Sequence, residues 1–73
     1  MAERLVRASL AKFEADRQEA ITVIELYLNN PVGVPEHSSI VNELTTAITR
    51  LADAEEAIAA IERNFIGAEE NDE

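Results

Sequence analysis

Few residues of this chain have the type and spacing to do chemistry. His37 is the single histidine, and there is no cysteine. Beside Glu36 it could act as a base or a metal ligand, but a zinc site needs three or four ligands, and the Glu-x-x-His pairs of helical di-metal sites are missing. His37 therefore reads as a capping or surface residue at the start of a helix. Asp53, Glu55 and Glu56 are the densest carboxylate group. Neighbours on a helix point about 100° apart, so Glu55 and Glu56 do not face one another as an acid/base pair. They read as a solvated acidic face, with Glu55 able to neutralise Arg17 across a helix pair. No Walker loop, dinucleotide fingerprint, nucleophile elbow or metal motif occurs. The sequence thus implies no catalytic residue, no cofactor, no metal and no enzymatic activity.

The elements behind these residues are two long amphipathic helices. Ile40, Leu44, Ala47, Leu51, Ala54, Ile58, Ile61 and Phe65 are all apolar and recur at alternating steps of four and three, the spacing of a coiled-coil seam. Val6, Leu10, Phe13, Arg17, Ala20, Ile24 and Tyr27 repeat the pattern earlier in the chain, with one charged member. Arg17 either fixes the register as a buried polar residue or snorkels, packing its stem and sending its head to water. Between the helices, Pro31 biases Asn30 out of helical geometry, Gly33 permits a tight reversal, and Pro35 suits a first helical turn. Ser38 and Ser39 compete as N-caps. Thr45, Thr46 and Thr49 are weak helix formers whose hydroxyls can bond back to the preceding turn. The expected layout is one domain over residues 1–67: helix 1 over about 2–29, a turn over 30–36 and helix 2 over about 37–66. Gly67 is a C-cap candidate. Residues 68–73 form an acidic tail with nothing to bury, expected to be disordered.

Composition narrows the function classes. The chain has 73 residues, two glycines, two prolines, three aromatic residues and a net charge of −9. Such a charge opposes direct binding to nucleic acid or to an anionic membrane, both of which need a basic face. No apolar run is long enough to span a membrane, and no leader pattern is evident. The absence of cysteine fits a reducing compartment. These features give the expectation of a cytoplasmic protein, of a cell or of an infected host cell.

Two helices of similar length joined by a short turn make an antiparallel hairpin. With the turn centred near residue 34, Phe13 faces Ala54 and Glu55, Arg7 can reach Glu62, and Lys12 can reach Glu55 or Glu56. Beside the seam the two ends differ. Near the turn the flanks are apolar, at Ile21, Val23 and Leu28 on helix 1 and at Val41 and Ile48 on helix 2. Near the termini they are polar. A stripe this wide needs a further partner. The expected fold is therefore an all-α hairpin that pairs as a homodimeric four-helix bundle through Ile21, Ile24, Leu28, Val41, Leu44 and Ile48, or that docks this patch on another protein. Val32, Gly33 and Val34 form a second candidate partner-contact site at the tip, where the valines either tuck back over the helix ends or face a partner.

The succession of a long first helix, Asn30-Pro31-Val32-Gly33-Val34, Glu36-His37-Ser38 and an amphipathic helix ending at Phe65 resembles small uncharacterised helical-hairpin proteins of large tailed bacteriophages. The likeness covers about 40 residues, centred on 30–40. It implies no known activity, favours a phage accessory or virion-associated role, and transfers no functional residue. The expected function is a non-enzymatic protein–protein interaction or assembly protein. The alternative is a small acidic inhibitor or nucleic-acid mimic presenting Glu43, Asp53, Glu55, Glu56, Glu62 and the tail to a basic protein.

Overall fold

The computed structural model describes residues 2–29 and 37–66. The tip Val32, Gly33 and Val34 and the tail 68–73 lie outside the described residues, as does the side chain of His37. Within them the protein is all-helical. Helix α1 spans Ala2–Asn29 and α2 spans His37–Ile61, followed by a π-helical turn over Glu62–Ile66. Glu3 lies in the first turn of α1, where a carboxylate favours the positive end of the helix dipole. Neither α1 nor α2 contains glycine or proline, the two residues most costly inside a helix. Because α2 begins at His37, Ser38 and Ser39 lie within its first turn rather than ahead of it. A back-bond forms on the other helix, at Thr22, outside the threonine cluster of helix 2: its hydroxyl donates to the Gln18 carbonyl at 2.9 Å.

The two helices pack as an antiparallel hairpin. Direction is fixed by two cross-helix ion pairs: Arg17 meets Glu55, and further along α1 Glu19 meets Arg50, further back on α2. Both seams face inward. Val6, Leu10, Phe13, Arg17, Ile24 and Tyr27 on α1 are half-buried, as are Ile40, Leu44, Leu51, Ile58 and Ile61 on α2. Only alanines are fully enclosed among the described residues: Ala20, Ala47 and Ala54. Phe13 and Ala54 line the same small crevice, large against small.

Phe65 departs from the expected seam. It is 58% exposed, and Ile66 is half-buried instead. The cause is local. The Asn64 side-chain amide donates to the Ala60 carbonyl at 2.8 Å, the oxygen that a regular helix would give to the Asn64 backbone N–H. Over Glu62–Ile66 the ladder widens by one residue into a π turn, and Ile66 takes the inward position that the heptad assigns to Phe65.

Close approach at the alanines should make them intolerant of larger residues. Ala54→Leu is expected to destabilise the folded state by about 1–3 kcal/mol, read from urea unfolding followed by circular dichroism. An unchanged or raised midpoint would mean that the helices are further apart than this packing requires.

Candidate protein-interaction surface

The face that carries the best candidate site can be traced from its charged end. An open groove of about 650 Å³ is lined by Glu14, Ala15, Arg17, Gln18, Glu55, Ile58, Ala59 and Glu62. Helical positions seven residues apart lie on one side of a helix. Counting in sevens from the groove, Glu14 leads to Ile21 and Leu28 on α1, while Glu62 and Glu55 lead to Ile48 and Val41 on α2. One strip along each helix thus runs from charged residues at the terminal end to aliphatic residues at the turn end.

The hairpin leaves the aliphatic half of this strip largely uncovered. Leu28 is 61% exposed, Val41 66% and Ile48 49%. Ile21, Ile24 and Leu44 are half-buried and merge into the seam, while Leu28, Val41 and Ile48 stand in water. All six belong to the turn-proximal half. Further exposed aliphatic or aromatic side chains, Leu5, Leu26 and Phe65, were not singled out by the sequence reading. Leu5 and Leu26 fall two positions before a seam flank and lack the recurring neighbours that mark the main strip. Phe65 owes its exposure to the π turn.

The charged half has defined geometry. Arg17 occupies a seam position yet keeps its side chain 39% exposed, and its Nε lies 3.3 Å from Glu55 Oε2. Its stem is covered and its head reaches solvent and a carboxylate, which resolves its two readings in favour of snorkelling. On the opposite side Arg50 Nη2 donates to Glu19 Oε1 at 3.2 Å, a pair the sequence reading missed although the register sets these opposite charges level. Arg50 also lines a crevice with Asp16 and Asp53. Arg7 does not cross to Glu62. It pairs with Glu3 on its own helix at 3.8 Å, because an i,i+4 partner on the same face is nearer than one across the hairpin. Glu55, assigned also as a possible partner of Lys12, is taken by Arg17.

Among the described residues, no group of three or more His, Asp or Glu side chains is placed to hold a metal ion, and no helix is long and apolar enough to cross a membrane. The candidate site is a surface of the helical hairpin, aliphatic at one end and charged at the other. No protein-family model, curated protein or solved structure matches this chain.

The Arg17–Glu55 pair is solvent-exposed and should orient more than it stabilises. A double-mutant cycle with Arg17→Met and Glu55→Gln is expected to give a coupling of at most about 1 kcal/mol, shrinking in 1 M salt. A coupling of several kcal/mol that survives salt would contradict a snorkelling arginine.

Proposed function

We propose that this chain is a non-enzymatic protein–protein interaction and assembly protein that acts as a homodimeric four-helix bundle, closed through Ile21, Ile24, Leu28, Val41, Leu44 and Ile48. One observation carries the reading. The largest residue fully enclosed within the described hairpin is alanine, while Leu28, Val41 and Ile48 stand exposed together along one face. A two-helix protein without disulfide or metal has little core of its own. A second hairpin would cover this face and convert half-buried seam residues into a core with two layers. Each aliphatic side chain moved from half-exposed to buried contributes about 1 kcal/mol. An accessory role in a phage, in the cytoplasm of a cell or of an infected host cell, accords with the resemblance read from residues 30–40. An assembly role uses neither a cofactor nor direct contact with nucleic acid or membrane.

The acidic-mimic reading has less support. A nucleic-acid mimic needs an unbroken negative surface, whereas Arg17 sits at Glu55 and Arg50 lies beside Asp53. Salt separates the two: a mimic would lose its basic partner as ionic strength rises, and an apolar assembly would not.

Val41→Glu combined with Ile48→Glu tests the dimer without attacking the hairpin seam, since both side chains are exposed in the single chain. The expected outcome by light scattering is a fall from dimer to monomer, accompanied by loss of helicity on dilution. A double variant that keeps the dimer mass would place the interface elsewhere.

A further inference from the structure

The same strip also determines how two copies would be oriented, an inference that rests on the homodimer reading. We infer that the hairpins pair with both turns at the same end, so that α1 of each lies against α2 of its partner and Arg7 meets Glu62 of the other copy.

A two-fold interface must be self-complementary, because each copy presents the same patch. Two arrangements bury the aliphatic half. In the first, the two-fold axis runs along the helices. The α1 strip then lies level on the partner's α2 strip, setting Leu28 against Val41, Ile21 against Ile48, Glu14 against Glu55 and Arg7 against Glu62. Aliphatic meets aliphatic at the turn end, Arg7 meets Glu62 at the terminal end, and Glu14 meets Glu55 between them. In the second, the axis crosses the helices and the turn ends overlap head-on. The α1 strip then lies on the partner's α1 strip, with Leu28 on Ile21. Gln18 lines the groove, so Glu25, seven residues later, lies on this face and is exposed. Head-on packing brings Glu25 of both copies together at the axis and leaves Arg7 and Glu62 out of contact.

Charge therefore favours the first arrangement. Its one unfavourable match is Glu14 with Glu55, and Arg17 already lies within the same groove and holds Glu55 at 3.3 Å. Arg7 is available for the cross-copy role. Its own-helix partner Glu3 is at 3.8 Å, and the Arg7 side chain is 60% exposed. An exposed guanidinium of this kind can bridge two carboxylates.

The test mixes two charge-reversed chains, Arg7→Glu and Glu62→Arg. In the same-end arrangement each variant alone faces two like-charge contacts in its homodimer. The mixture replaces them with two opposite-charge contacts. Native mass spectrometry of an equimolar mixture should show heterodimer enriched about fivefold over the statistical ratio at low salt, with the enrichment lost in high salt. A statistical mixture from dimeric variants would overturn the orientation while leaving the dimer standing. Monomeric behaviour of the unaltered chain, measured alongside, would overturn both.

Discussion

Two helices can approach closely only where their side chains are small, and two helices alone cannot surround a large side chain. Both limits meet in this hairpin. Ala20, Ala47 and Ala54 are enclosed, while every leucine, isoleucine and phenylalanine of the described seams keeps part of its surface in water. Hydrophobic stabilisation scales with apolar area removed from water. A hairpin in this state gains little from each of its best residues, yet has ordered two helices in full. The exposed Leu28, Val41 and Ile48 belong to the same imbalance, being aliphatic side chains that the described hairpin leaves uncovered.

The charges act on direction rather than on strength. Arg17 with Glu55 and Arg50 with Glu19 lie on opposite sides of the hairpin, and both pairs are exposed. Neither contributes much to stability. They do disfavour the slipped register in which Ile48, seven residues before Glu55, would replace it beside the Arg17 guanidinium. In the proposed dimer, the aliphatic half of the strip sets where the second copy sits, and the charged half sets which way round it sits.

Most of the hairpin is readable from spacing alone, because a four-three repeat over some twenty-five residues leaves few other conformations. The inward set Val6 to Tyr27 and Ile40 to Ile61 follows directly from that period. Arg17 was legible too, since a long cationic side chain on a seam can satisfy both its stem and its head. The failures arise where local chemistry competes with the period. Asn64 captures a backbone carbonyl and shifts Phe65 outward, an effect that no seven-residue count contains. Arg7 finds Glu3 four residues away before it finds Glu62 across the pair. Glu19 with Arg50 was within reach of the register but involves a residue off the seam flanks, where the pattern gives no reason to look. Leu28, Val41 and Ile48 were legible as surplus because they lie beside a seam that was already complete.

The most direct measurement is the mass of the unaltered chain by light scattering across a dilution series, with thermal unfolding followed by circular dichroism at each concentration. A homodimer gives a mass near twice 8.0 kDa at high concentration, with a melting temperature that falls on dilution as dimer dissociation and helix loss proceed together. A fully helical species of 8.0 kDa whose melting temperature is independent of concentration would contradict it, because a single hairpin would then be stable with its aliphatic face bare.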